Sequence, residues 1–206
     1  MPKLYYSTLS CGGANYIAAH VGGVKFDENV LVNIQTHKLA ATGEDYFEIN
    51  PKGNVPVITF EDGKKNLNEN VGTLYYIGKN GGLLGEDETA TMNALGFLAS
   101  EWHKGVGAFF GKPEGAAREK AVANLAKQAN FFIDFYLEGG KNEYMVGNTF
   151  TIADIYASVI TSWSYFIGLN TEIPEALIKH HERIQALPKV AEAVKIMKDY
   201  EASVAK

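Results

Sequence analysis

Cysteine occurs once in this chain, at position 11, and two glycines follow it directly. Leu4-Tyr5-Tyr6 ahead of it reads as a strand, Gly12 and Gly13 let the backbone turn, and residues 14–21 read as a short helix. Cys11 therefore stands at or just before a helix N-terminus. Unpaired N–H groups point outward there and the helix dipole favours negative charge. A thiol so placed loses its proton more easily than a free one, and the thiolate is the nucleophile. A lone cysteine is also a common small buried apolar residue, so placement alone leaves both readings open. A second feature is Val55-Pro56. Proline cannot donate a ladder hydrogen bond and belongs at a strand start or edge. A Val55–Pro56 bond in cis, the form expected here over an ordinary trans edge proline, turns the N–H and C=O of Val55 towards a ligand as an added-strand partner. A third is His103, on the edge of an apolar helical stripe beside Trp102. Imidazole titrates near neutrality and can serve a nearby thiol, although a helical histidine there also serves packing.

The elements that must position these residues fall into two textures. Residues 30–34 form a second strand rich in β-branched residues, parallel to the first across a right-handed βαβ crossover. Residues 35–43 read as loop, and 43–49 as a helical turn stopped by Asn50-Pro51. Residues 55–60 form a third strand. An Asp62-Gly63 turn then leads antiparallel into a short fourth strand at 66–68, and Asn70 caps a helix over 71–77. This βαβ then ββα order is thioredoxin-like. Four glycines within residues 78–87 mark a linker. Beyond it the period becomes helical. Met92, Leu95, Ala99, Trp102, Val106 and Phe110 form one stripe, and Val122, Leu125, Ala129, Phe132 and Tyr136 another. Thr151-Ile-Ala-Asp154 is a capping pattern ahead of an apolar helix at 155–167. Pro174 and Pro188 each start a further helix. The expected architecture is a two-domain α+β chain, a thioredoxin-like α/β domain over 1–80 and an all-α domain over 88–206.

Composition narrows the function classes. The chain has 206 residues, 46% hydrophobic and 21% charged, as in an ordinary globular protein. A net charge of −5 without a Lys/Arg cluster argues against a nucleic-acid partner. No apolar run is long enough to span a membrane. The first residues lack the basic and apolar segments of a signal peptide, so with a single cysteine the cytoplasm is the expected location. One cysteine and five scattered histidines give no zinc-binding spacing, and no metal is expected.

Four motifs in this order resemble the cytosolic glutathione transferases over the whole chain, and their beta class, mainly bacterial with an active-site cysteine, most of all. They are Lys3-Leu-Tyr-Tyr-Ser7 with Cys11 four residues on; Thr42-Gly-Glu-Asp45 followed by Ile49-Asn-Pro-Lys-Gly-Asn-Val-Pro-Val57; Ser100-Glu-Trp-His-Lys104; and Thr151-Ile-Ala-Asp154. The resemblance implies glutathione as co-substrate with no further cofactor, a small hydrophobic electrophile, and a homodimer. It implies that Cys11 faces the glutathione sulfur and that the Val55 backbone, before Pro56, pairs with the cysteinyl part. Glu69 and Asn70 would hold the γ-glutamyl end, His103 and Lys104 would reach the thiol and peptide, and Lys38 and Asn54 would lie by the glycyl end. Tyr6 enters because other branches use a tyrosine hydroxyl near the thiol, although Tyr5 and Tyr6 read first as alternating strand residues.

The chemistry of an anionic, extended tripeptide fits this set. Val55 offers a strand edge, the helix after Asn70 offers N–H groups to a carboxylate, Glu69 can pair with an ammonium, and Lys38 and Lys104 can meet a carboxylate. Taken singly, such lysines are ordinary surface charges. Aromatics such as Trp102, Phe109, Phe110, Trp163 and Phe166 would line an electrophile pocket or fill the core. Three departures stand out. Asn70 replaces a usually small residue, often serine; Gly96 stands where a polar residue is usual; and Ser10 and Gly12 are uncommon neighbours of the cysteine. The expected activity is conjugation of reduced glutathione to electrophiles in detoxification, with thiol–disulfide exchange through Cys11 and a thiol pKa lowered by the helix dipole and His103. A glutathione-dependent isomerase, a dehydroascorbate-type reductase, and a non-catalytic ligand-binding protein on the same fold are the alternatives.

Overall fold

The computed structural model describes residues 2–60, 65–169 and 171–204. The chain divides into two compact units, residues 1–83 together with 187–206, and residues 84–186.

In the first unit, β1 (Lys3–Tyr6) lies parallel to β2 (Glu28–Asn33), with Tyr5 opposite Val30 and Tyr6 opposite Leu31. A two-residue strand, β3 (Lys38–Leu39), runs antiparallel to β2. On the other side, β4 (Val57–Phe60) is antiparallel to β1, and β5 (Lys65–Leu67) antiparallel to β4. The sheet order is β3-β2-β1-β4-β5. Side chains alternate along each strand, so Tyr5, Val30, Val32 and Val57 share a core with Leu39, Tyr46 and Val55. The opposite face buries Leu4, Tyr6, Leu31 and Ile58 where α1 (Cys11–Gly22) and α2 (Asn70–Asn80) pack. The stretch 35–43, expected as loop, thus contains a strand: two residues suffice to pair the edge of β2. The Asp62-Gly63 turn lies outside the described residues. α2 runs on to Asn80, so the glycine-rich segment begins as helix.

The second unit is helical. α3 (Glu88–Phe97) is capped by Asp87, whose side chain accepts from the N–H of Ala90 at 2.8 Å. It passes into a wide π turn at Leu98–Trp102, then α4 (His103–Gly107) and a tight turn at Ala108–Gly111. α5 (Gly115–Phe131) ends in a second wide turn, Phe132–Tyr136. α6 (Ile152–Ile167) is the most buried helix, with the capping box of Thr151 and Asp154 in place. α7 (Glu175–Ala186) packs on it. The tight turn at Ala108–Gly111 shifts the end of the expected apolar stripe: Trp102 and Val106 are buried as expected, but Phe109 is buried whereas Phe110 is 53% exposed. A 3-10 turn completes its rotation in three residues, which brings Phe109 rather than Phe110 under Val106 and is not anticipated by a straight 3.6-residue count.

The last helix, α8 (Pro188–Val204), falls on the other side of the expected 88–206 boundary. It buries Val190, Ala193 and Met197 and packs against α1. His20 Nε2 lies 3.2 Å from Glu192 Oε2, and Lys189 Nζ donates to the Val21 carbonyl at 3.3 Å. No helix among the described residues is long and apolar enough to cross a membrane.

Candidate active site

Cys11 is the first residue of α1. Ser10 caps the helix: its hydroxyl accepts from the Gly12 N–H at 3.0 Å and donates to the Ser7 carbonyl at 2.9 Å. Gly13 is required by close approach, because a Cβ there would sit 2.6 Å from the Thr8 carbonyl oxygen. The half-buried thiol donates to the Val55 carbonyl at 3.5 Å. Burial pushes the thiol up to about 11, while the N–H groups of Cys11 and Gly12 pull the other way. The expected lowering is therefore reversed. The helix start does favour the thiolate, but loss of water around the sulfur outweighs it. Tyr6, one turn back, is buried with its ring 4.8 Å from that of Tyr16, and burial raises its phenol well above the ordinary range. It is a buried residue of the sheet, as strand alternation suggested.

The loop carrying Val55 is held from behind. The Asn54 carbonyl accepts from the Tyr46 hydroxyl at 2.9 Å and from Asn50 Nδ2 at 2.7 Å, and Asn54 Oδ1 also accepts from Asn50 Nδ2, at 2.8 Å. The Val55–Pro56 peptide bond is cis, as expected. Asn54 is exposed, as is Lys38 on β3.

At the start of α2, Glu69 rather than Asn70 occupies the N-cap, and its side chain makes no capping bond. Its carboxylate pairs with Lys52. Asn70 is the first helical residue. Its side chain turns back to α1, where Asn15 Nδ2 donates to Asn70 Oδ1 at 2.7 Å and to the Cys11 carbonyl at 3.3 Å. The expected cap is thus replaced by a side-chain bridge, since an Asn at the first helical position lies one residue past the capping geometry.

His103 and Lys104 belong to the second unit. His103 Nδ1 lies 2.7 Å from the Tyr156 hydroxyl, and its ring meets Trp163 edge-on at 4.8 Å. Burial, helped by the neighbouring Lys104 charge, lowers the imidazole below its ordinary value. His103 is therefore a neutral donor–acceptor at neutral pH. Lys104 is exposed. A Cβ at Gly96 would meet open space, so nothing in its surroundings demands glycine. Trp102 and Trp163 are buried, and Phe166 is exposed.

The first unit brings together Cys11, Val55, Pro56 and Asn70, with Glu69 at the same helix start. Sequence reasoning missed Asn15, Lys52 and the Tyr46–Asn50 support. Lys52 stands within the quoted Ile49–Val57 motif, where a partner for Glu69 could have been sought. Asn15 carries no local signal. The arrangement offers a neutral thiol that donates a hydrogen bond, a backbone carbonyl beside it, and a helix N-terminus suited to an anion.

Residues 100–195 match the family described as "Glutathione S-transferase, C-terminal domain". The chain is 30% identical over 201 residues to glutathione S-transferase GstA of Escherichia coli O157:H7, covering 93% of this chain and 96% of the relative. It resembles a bacterial beta class glutathione S-transferase of Sphingomonas chungbukensis at 30% identity and a TM-score of 0.79, over 95% of this chain and 98% of that one. A sphingomonad glutathione S-transferase complexed with glutathione is similar at 31% identity and a TM-score of 0.77, again over 95% and 98%. By sequence and by fold, the chain belongs to the glutathione S-transferase family.

Proposed function

We propose that this protein binds reduced glutathione and conjugates it, through its sulfur, to small hydrophobic electrophiles. The observation that carries the reading is the 3.5 Å contact between Cys11 Sγ and the Val55 carbonyl. A thiol and the backbone edge of a loop meet at one point, so an extended peptide running along Val55 has its own sulfur beside Cys11. The solved relative with glutathione bound supports the same ligand. In this reading Val55, before Pro56, pairs with the cysteinyl backbone. The first-turn N–H groups of α2 and Asn70 receive the γ-glutamyl carboxylate, and Glu69 exchanges Lys52 for the ligand's ammonium. Lys38 and Asn54 serve the glycyl end. For His103 and Lys104, acting on the thiol and the peptide, the support is the family resemblance. Glutathione is a co-substrate and no further cofactor is needed.

The neutral Cys11 S–H donates a hydrogen bond to the glutathione thiolate. That thiolate, formed as the bound glutathione thiol loses its proton to solvent, attacks the electrophilic carbon, a C–S bond forms, and the leaving group departs with its electron pair. Exchange through a Cys11 mixed disulfide takes second place. Burial that raises the thiol keeps the attacking thiolate scarce at neutral pH. A thiol co-substrate suits a reducing compartment, and we assign the protein to the cytoplasm. We assign it further to a homodimer, closed through the aromatic face formed by the end of α5 and the wide turn that follows it. Phe131 and Phe135 stack there with ring centroids 5.2 Å apart and are 47% and 58% exposed, apolar area that a second copy would cover.

The test is calorimetric titration with reduced glutathione, followed by conjugation of a chlorodinitrobenzene. Binding in the micromolar to low-millimolar range with turnover is the expected result. A folded protein that gives no binding heat and no conjugate overturns the reading.

A further inference from the structure

We propose that Asn15 is a positioning residue that holds the thiol-bearing turn and the anion-binding turn at the spacing of one ligand; this rests on the glutathione reading above. Asn15 lies in the middle of α1 and is fully buried. Its single Nδ2 bridges two elements, donating to the Cys11 carbonyl at 3.3 Å and to Asn70 Oδ1 at 2.7 Å. One amide thereby ties the residue that carries the sulfur to the first residue of α2. Packing alone does not ask for such a pair. The bridge leaves Asn15 Oδ1 and Asn70 Nδ2 buried and without a hydrogen-bond partner among the described residues. Apolar side chains of similar size would join the same helices without that penalty. What the amide pair adds is direction, because a hydrogen bond fixes the distance and angle between the two helix starts. In glutathione the γ-glutamyl carboxylate and the cysteinyl sulfur are separated by a fixed length of chain, so a ligand that engages both turns gains only when their spacing is right.

The bridge thus matters for a thiol that reaches both turns and not for one that reaches the Cys11 turn alone. The experiment compares wild type with Asn15→Ala, and with the still-polar Asn15→Ser as a second variant. The probes are reduced glutathione and cysteinylglycine, which lacks the γ-glutamyl end. Both variants are first checked for a wild-type melting transition. We expect kcat/KM for glutathione to fall about tenfold through KM, with kcat for the bound thiol held, and kcat/KM for cysteinylglycine to move less than about twofold. Equal losses for the two thiols indicate a merely structural role and overturn the proposal, as does an unchanged KM for glutathione. Failure of the wild-type protein to use glutathione at all would be a failure of the functional reading, visible before any variant is made.

Discussion

A thiol at a helix start feels two opposing influences, and at Cys11 burial wins. The N–H groups of Cys11 and Gly12 favour the thiolate, but the walls around the sulfur push its pKa from an ordinary 9.0 up to about 11. The thiolate therefore forms only as pH rises through that value. Alkylation of the folded protein by iodoacetamide, followed by intact mass, should climb steadily from pH 8 to pH 11. A plateau already reached near pH 8 would contradict the buried thiol. Between 9 and 11 an unfolded chain ionises its cysteine first, so this group contributes a loss of stability as pH rises through that window. The position of Cys11 was legible because the lone cysteine precedes two glycines, and one of them, Gly13, is demanded by the Thr8 carbonyl. Its pKa was not, since it depends on residues brought from far along the chain, Val55 among them. Asn15 was silent for a related reason. An asparagine inside a short helix has no local mark, and its partner Asn70 lies 55 residues away.

At the scale of elements, the start of α6 concentrates the most polar interactions in the least exposed place. Asp154, fully buried, accepts from the N–H of Met145 and the N–H and hydroxyl of Thr151, and lies 3.0 Å from His180 Nε2. It closes a capping box and ties a preceding loop and α7 to the same carboxylate. Asp154→Ala strands these donors in the core and should lower unfolding free energy by about 3–5 kcal/mol, read as a shifted guanidinium midpoint; a change under 1 kcal/mol would show that the junction is dispensable. The box was legible because Thr-x-x-Asp before an apolar run is a local pattern. The contacts to Met145 and His180 were not, since they come from separate segments. The helices were legible too, except where the tight turn at Ala108–Gly111 put Phe109 rather than Phe110 in the core. β3 escaped because two residues carry no periodicity to read.

At the scale of the whole molecule, the proposed homodimer rests on surface chemistry. The stacked, exposed Phe131 and Phe135 pack beside Phe97 and Tyr136. Replacing Phe131 and Phe135 together by serine should convert a dimer to a monomer in sedimentation velocity while the second unit keeps its helical circular dichroism. A dimer that survives both changes assigns the interface to another face. The two-domain plan was legible from the change of period near residue 85, but the return of α8 to the first unit was not: Val190, Ala193 and Met197 announce a helix with one apolar side and do not say which neighbour it covers.

That return has a consequence for the order of synthesis. The sheet and α1 leave the ribosome first, whereas the helix that covers the outer side of α1 follows only after residues 84–186 have been made. At about 5–20 residues per second, that leaves the apolar edge of α1 bare for on the order of ten seconds. During that interval the helical unit can complete itself, while the half that carries Cys11 waits unfinished and open to chaperones or to the wrong neighbour. The helix that begins with the thiol-bearing residue is among the first parts of this protein to be made and among the last to be covered.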